Sequence, residues 1–324
     1  MTPTTEGPHG TDTAPLDVRW RHGVPAWRRT RRAAAAEEPI QVHHHDAHTV
    51  VLRQSKTLDH EAPFLFLLFG EERALLLDTG ATEDPERFPL RDTVDALVSG
   101  WLARHPRTTP EPYALVVAHS HPHGDHVAGD GQFADRPATT VVGRDLDAVR
   151  AFFGFGDGWP TATASFDLGG RVLGVLGSPG HHDAAITVHD PRTGFLLTGD
   201  TVLPGRLYVA DRAAFSASLD RLVDFAAAHH VTQVLGCHVE MTRRAGRDYP
   251  IGARYQPNER ELALAPERLT AIRDAAAAVA GRPGVYRHED FVLYNEPTAA
   301  DTRRLLRRGR LHDRARRLVR FAVR

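Results

Sequence analysis

The sequence predicts an α/β protein in which β-sheets are covered by helices. Two observations carry that expectation. Short apolar runs bounded by Gly, Pro and charged residues recur along the first two-thirds of the chain, as buried strands do. Segments with helical spacing alternate with them and continue to the C-terminus, which favours layered sheets with helical covers.

In chain order, residues 1–38 are rich in Thr, Pro, Gly and Arg, show no periodicity, and are expected to form a disordered arm. The globular pattern runs over residues 39–296. Phe64-Leu-Phe-Leu-Leu-Phe69 and Ala74-Leu-Leu-Leu-Asp78, separated by Gly70-Glu-Glu-Arg73, predict a buried hairpin. Thr93 to Arg104 places Val94, Leu97, Val98, Trp101 and Leu102 on one helical side. Ala114–Ala118, Thr140–Val142, Arg171–Leu176, Ala185–Val188, Phe195–Thr198 and Val231–Leu235 are expected strands. Ser216–His229 and Pro266–Ala280 are expected helices. Residues 297–324 predict an Arg-rich amphipathic helix, with ten arginines against two acids from Asp301 onward. Leu311, Ala315, Leu318 and Ala322 share one face of it, and burial of that stripe is expected.

With 324 residues and 41% hydrophobic content the chain can bury a full core. A net charge of -1 gives no global field that selects nucleic acid or an anionic membrane. Neither is expected as a partner; a small-molecule substrate is, with a homodimer as an open assembly. Cys237 is the single cysteine, which excludes an intramolecular disulfide and makes a cytoplasmic location the default expectation. Arg28, Arg29, Arg31 and Arg32 before four alanines hint at a twin-arginine signal. Glu37 and Glu38 end that run short of the roughly 7–15 apolar residues a secretory segment needs. No stretch approaches the ~18 apolar residues of a membrane span.

The chemistry concentrates in His119-Ser-His121-Pro-His123-Gly-Asp125-His126, directly after the apolar run ending at Ala118. Core packing does not explain His121, His123, Asp125 and His126 within six positions. Imidazole and carboxylate donors suit zinc, with iron or manganese as alternatives. A cluster without cysteine fits an open catalytic site better than a closed structural one.

His121-Pro-His123-Gly-Asp125-His126 resembles the H-x-H-x-D-H signature of the metallo-β-lactamase superfamily. Leu77-Asp78-Thr79-Gly80, Pro179-Gly180-His181, Thr198-Gly199-Asp200 and Gly236-Cys237-His238 resemble that family's other landmarks, in its order. The resemblance implies a four-layer αββα sandwich with two metal ions, expected to be zinc, at one edge. It implies that His121, His123 and His181 bind the first metal, that Asp125, His126 and His238 bind the second, and that Asp200 bridges. It further implies a hydrolase in which a hydroxide between the metals attacks and Asp125 orients it and passes a proton on.

Among the branches of the family, Asp200 argues against a β-lactamase, which stays only as a minor activity. Nucleic-acid-processing branches insert large domains, and only 38 positions separate Asp200 from His238. Glyoxalase II and lactonases share the ligand set, so a lactone, ester or thioester is the expected bond. A phosphodiesterase and an iron-dependent persulfide dioxygenase-like enzyme are the alternatives. The segments after His238 do not match the glutathione-binding helical domain of glyoxalase II, but could cap the cleft. Lactonases place a tyrosine three residues after the bridging aspartate. Leu203 stands there, and Tyr208 is the nearest substitute as an oxyanion donor. Arg206, Arg243 and Arg244 are the candidate cations for a phosphate. His119, His182 and Cys237 are expected to pack or support, Asp78 to hold the metal loop, and His43, His44, His45 and His48 to form a surface or strand-edge run.

Overall fold

The computed structural model describes residues 14–25, 37–107 and 111–322, with side chains through residue 315. The first sheet holds β1 (Ile40–His44), β2 (Thr49–Gln54), β3 (Phe64–Phe69), β4 (Arg73–Leu77), β5 (Ala114–Ala118) and β6 (Thr139–Val141), in that spatial order. Strands β1 to β4 pair antiparallel, while β4, β5 and β6 run parallel. The parallel pair needs a crossover, and α1 (Leu90–Arg104) supplies it. The short α2 (Gly124–Val127) and α3 (Leu146–Phe153) follow β5 and β6.

The second sheet is built from β7 (Thr163–Asp167), β8 (Val172–Gly177), β9 (Ile186–Asp190) and β10 (Phe195–Gly199). Strand β11 (Arg206–Val209) departs to a third sheet before α4 (Arg212–Ala228). The chain then returns as β12 (Gln233–Gly236), parallel to β10, and β13 (Ala263–Leu264). Helix α5 (Glu267–Ala278) leads to β14 (Gly284–Arg287) and β15 (Val292–Asn295), which complete the third sheet in the order β11-β15-β14. Helix α6 spans Ala299–Ala322.

Burial alternation shows how the layers form. Phe64, Phe66 and Leu68 of β3 point into a core shared with Leu173, Val175, Ile186, Val188 and Leu197 of the second sheet. Leu65, Leu67 and Phe69 point the other way, under Val94, Val98 and Trp101 of α1. The other sheet does the same: Leu196 and Val234 pack under Phe215, Leu219 and Leu222 of α4 and Leu269 and Ile272 of α5. The architecture is therefore αββα, as expected. A strand buried on both faces loses its period-2 pattern, which is why β3 reads as an unbroken apolar run.

Two expectations about the chain ends need correction. Residues 14–25 are not a free arm. Leu16 and Trp20 are buried in the central core, Trp20 sits edge-on to Phe64 at 4.9 Å, and the Leu16 amide donates to Gln233 Oε1 at 2.8 Å. Leu16, Val18 and Trp20 alternate with polar residues, a strand-like spacing too short to stand out inside a Pro- and Thr-rich stretch. Residues 1–13 and 26–36, with the arginine run, lie outside the described residues. At the other end α6 forms but docks by a different face. Leu305 and Gly309 are buried and Arg308 is half-buried, whereas Leu311 and Ala315 are exposed. The docked face carries Leu305, packed with Met241, Val292 and Tyr294, and the ion pair of Arg308 with Asp248, rather than Leu311 and Ala315. Leu318 and Ala322 fall beyond the described side chains.

Candidate metal centre and cleft

Strand ends of both sheets converge on one cleft of about 280 Å³. The turn after β4 begins it. Asp78 has φ +69°, a left-handed conformation that costs a non-glycine residue energy and turns its carboxylate under the next loop. Asp78 Oδ1 accepts from the Ser120 amide at 2.7 Å, and Oδ2 accepts from Ser120 Oγ and from His126 Nδ1, both at 2.9 Å. Cys237 Sγ donates to the same Oδ2 at 3.1 Å. Buried at the centre of these donors, Asp78 holds the loop after β5 in place, as expected of it. His119 also supports, its Nε2 lying 2.8 Å from Asp130 Oδ1, where Thr79 Oγ1 also donates at 2.7 Å.

The histidine rings are aimed through their second nitrogens. His181 Nδ1 donates to the Tyr208 carbonyl at 2.8 Å and His238 Nδ1 to the Glu61 carbonyl at 3.2 Å. A carbonyl can only accept, so in both rings Nδ1 carries a proton and Nε2 is the nitrogen that faces the cleft, where it can hold either a proton or a cation. His126 is fixed in the same sense by Asp78. Gly180 allows the His181 loop to lie against α4: a Cβ there would meet Phe215 Cα at 2.4 Å, and its φ is +137°.

The facing nitrogens form two groups. His121 Nε2 and His181 Nε2 lie 2.9 and 3.0 Å from His123 Nδ1. His126 Nε2 and His238 Nε2 lie 3.2 Å apart, with Asp125 Oδ2 at 3.3 Å from His238. Asp200 stands between the groups. Its Oδ2 is 3.8 Å from His181 Nε2, and its Oδ1 is 3.7 and 3.5 Å from His126 Nε2 and His238 Nε2. Oδ1 is buried and has no hydrogen-bond partner. Donor atoms of His121, His123 and His181 lie within 4.8 Å of one another, as do those of Asp125, His126 and His238.

Electrostatics differ between the groups. Burial and the neighbouring imidazoles push the pKa of His121 and His123 down, so their lone pairs stay open. Burial opposes charge on His126 and His238 as well, but Asp78, Asp200 and Asp125 outweigh it and raise both. Carboxylates that favour a proton there favour a metal cation for the same reason.

The rest of the wall is Glu61, Leu203, Arg206, Tyr208, Glu240 and Ile251. Tyr208, from the edge of the third sheet, lines the cleft as expected. Arg206 Nε donates to the Tyr208 hydroxyl at 2.9 Å. Burial, only partly offset by Arg206, pushes the Tyr208 pKa up, so the phenol keeps its proton. Arg243 and Arg244 do not line the cleft, and the Arg243 side chain is 73% exposed beside Glu261. His43, His44, His45 and His48 do not line it either. His48 lies at the opposite end of the sandwich, where the Trp101 indole donates to it at 3.3 Å. The segment from Glu240 was expected as a possible cap of the cleft, whereas Glu61 was not legible as a cleft residue. Nothing local marks Glu61, because the loop before β3 and the segment after β12 meet only in the fold.

The sequence profile of the metallo-beta-lactamase superfamily matches residues 61–238, from the first wall residue to the last histidine of the cluster. The chain belongs to the metallo-beta-lactamase superfamily. Similar members include a hydroxyacylglutathione hydrolase from Rhizobium meliloti (strain 1021), 29% identical over 49% of this chain and 60% of its own length. Another, from Methylococcus capsulatus, is 28% identical over 62% of this chain and 71% of its own length. The first three such relatives are matched over 60%, 52% and 44% of their length. A solved metallo-beta-lactamase from Pontibacter korlensis is 18% identical with a TM-score of 0.43, over 61% of this chain and 91% of that one. Within the superfamily frame, the matched span contains the whole two-group cluster. Strands β14 and β15 of the third sheet and residues 14–25 lie outside it.

Proposed function

We propose that this cleft is a two-metal hydrolytic centre that cleaves an acyl bond, a lactone, ester or thioester, of a small molecule. The observation that carries the reading is Asp200, whose two oxygens are divided between the two donor groups while the buried Oδ1 lacks a partner. A buried carboxylate oxygen without a hydrogen bond is costly, and a cation on each side offsets that cost. In this reading His121, His123 and His181 hold one ion, Asp125, His126 and His238 hold the other, and Asp200 serves both. All-nitrogen and oxygen donors favour zinc, with iron or manganese next. Bound there, two such ions supply Lewis acidity toward an acyl oxygen and lower the pKa of water enough to make a nucleophile at neutral pH.

The chain's own groups do the rest. Asp125 sits at the open side of its group and is the carboxylate placed to accept a hydrogen bond from water and orient it. His238 and His126 keep its pKa down at about 2 against the effect of burial. Tyr208 has an oxygen that already accepts from Arg206, so its proton points elsewhere and is free to be donated. Such a donor suits the oxyanion of a tetrahedral acyl intermediate.

Acyl chemistry is favoured over phosphoryl because the one arginine among the described lining residues is already committed. Arg206 donates to Tyr208, Glu240, Asp248 and the Tyr249 carbonyl. The relatives named hydroxyacylglutathione hydrolase support hydrolysis at an acyl group. The test has two parts. Elemental analysis after chelator-free purification should find about two equivalents of metal per chain, mostly zinc. Matched carboxylic and phosphoric ester panels should show higher kcat/KM on the carboxylic set. Well under one equivalent sinks the two-metal centre, and faster phosphodiester turnover sinks the acyl reading.

A further inference from the structure

Among the described residues, the aliphatic part of the cleft wall is Leu203 and Ile251. Leu203 is buried in the core beneath the second sheet and is fixed there. Ile251 stands differently. It lines the cleft and also packs against a small core of Met241, Val292, Tyr294 and Leu305, the last from α6. Gly309 of α6 backs it directly. A Cβ at position 309 would meet Ile251 Cγ2 at 2.6 Å and the Ile251 carbonyl oxygen at 2.9 Å.

Glycine inside a 24-residue helix is a weaker helix former than alanine, so its presence needs a reason. Here the reason is the close approach of the 248–253 loop. Helix and loop are held together on both sides of that contact. Leu305 is buried one turn before Gly309, and Arg308 donates to Asp248 Oδ1 at 2.6 Å and to the Asp248 carbonyl. Within the loop, Arg206 donates to the Tyr249 carbonyl at 2.9 Å and the Ala253 amide to the Pro250 carbonyl at 3.0 Å. Ile251 is thus a partition, with the helix behind it and open space on the cleft side. Both Ile251 and Gly309 lie beyond the residues 61–238 matched by the superfamily profile.

We propose that Ile251, seated by Gly309, is the specificity-determining residue that limits the cleft to short aliphatic acyl groups. This rests on the acyl-hydrolase reading of the same site. The cleft of about 280 Å³, which the ions of that reading share with the substrate, is already at the small end for ligand pockets. A Cβ at 309 displaces Ile251 toward the cleft, the side on which it has no packed neighbour. A smaller residue at 251 opens the wall back to the helix.

Hydroxamates ligate zinc through oxygen whether or not an ester is cleaved, so their binding separates size selection from turnover. Full-length, zinc-loaded protein is titrated calorimetrically with acetohydroxamate and octanohydroxamate. In the wild type the longer probe should bind no more tightly than the shorter one, despite its apolar chain. Ile251→Ala should raise the affinity ratio of the longer to the shorter probe about tenfold, the worth of burying roughly two further methylenes. Gly309→Ala should lower that ratio while hydrogen exchange shows α6 still docked, and adding Ile251→Ala should restore it. If α6 instead comes off the body in Gly309→Ala, Ile251 loses its backing and the ratio should rise as in Ile251→Ala. Tighter binding of octanohydroxamate by the wild type, a ratio unmoved in either variant, a ratio raised by Gly309→Ala with α6 docked, or no binding of either probe overturns the proposal. Turnover of short-chain esters is scored alongside. Its absence with the ratio shifts intact sinks the acyl reading and leaves the size limit set by Ile251 standing.

Discussion

At the scale of single residues, the site works by assigning each polar group one task through its neighbours. Asp78 and Asp125 are both carboxylates near His126, yet they cannot exchange roles. Asp78 is fully buried and saturated by Ser120, His126 and Cys237, so it orients. Asp125 is 25% exposed and contacts His238 from the cleft side, so it can reach a substrate. Replacing Asp125 with Asn keeps the volume and removes the charge and the proton acceptor. Activity on the preferred ester should fall on the order of 10²–10⁴-fold with the melting temperature nearly unchanged. Wild-type turnover by that variant would remove Asp125 from the chemistry. The motif residues were readable because their spacing is local and their types are rare in cores. Glu61 and Arg206 were not assignable to their roles, since those roles exist only through contacts across the fold.

At the scale of elements, the two chain ends are held by buried ion networks, and each can be tested. Glu259 accepts from Arg53 through both oxygens, at 2.7 and 2.8 Å, and faces Lys56 at 3.3 Å and His22 at 3.2 Å. Arg53 also donates to the Arg21 carbonyl, which ties residues 14–25 to the first sheet. A chain beginning at Ile40 exposes the sites of Leu16 and Trp20 and should lose on the order of 3 kcal/mol. An unchanged melting temperature would restore the view of a dispensable arm. At the C-terminal side, Asp248 accepts from Arg206, Arg287 and Arg308, on β11, β14 and α6. Those arginines outweigh burial and hold its pKa down at about 2. A depressed carboxyl pKa stabilises above the unfolded value near 4 and loses that contribution as pH falls toward the folded one. Docking of α6 should therefore weaken between about pH 4 and 2. Hydrogen exchange of residues 299–315 across that range reads it directly; in Asp248→Asn the protection should be low already at pH 7. Protection that ignores both changes would place the hold on α6 elsewhere. Sequence periodicity had pointed to the leucine stripe of this helix. It failed because one buried aspartate, distant in sequence, holds Arg308 on another face and leaves Leu311 exposed.

At the scale of the whole molecule, the sandwich is fastened at both ends. The candidate ligand cluster joins the sheets at one end, with residues that follow β5, β8, β10 and β12. At the other end the amides of Glu71, Glu72 and Arg73 donate to the Gly169 and Leu168 carbonyls, Arg192 faces Asp46, and one buried side chain adds several more links. Arg171, ahead of β8, pairs with Asp190 of β9 through Nε at 3.0 Å and a terminal nitrogen at 2.6 Å. It then crosses to the first sheet, donating to the His48 and Phe69 carbonyls at 2.6 and 3.1 Å and to Thr49 Oγ1 at 2.8 Å. All five guanidinium donors are used, and both charged side chains are at most 4% exposed. The fold's layers were legible from apolar runs, but this fastening was not, because an arginine before a strand reads as a surface residue. Removing one partner of a buried, saturated pair strands the other charge and two carbonyls. Arg171→Ala should cost about 3–5 kcal/mol in denaturant unfolding of the metal-free protein. Arg171→Met with Asp190→Leu should recover much of that loss, since the desolvation penalty of both charges disappears with them. Because the cleft lies at the far end, either variant should still bind metal at the wild-type stoichiometry below its melting temperature. A cost under about 1 kcal/mol for Arg171→Ala would mean that the pair only balances its own desolvation and that packing, with the backbone bonds of residues 71–73 to Leu168 and Gly169, joins the sheets there.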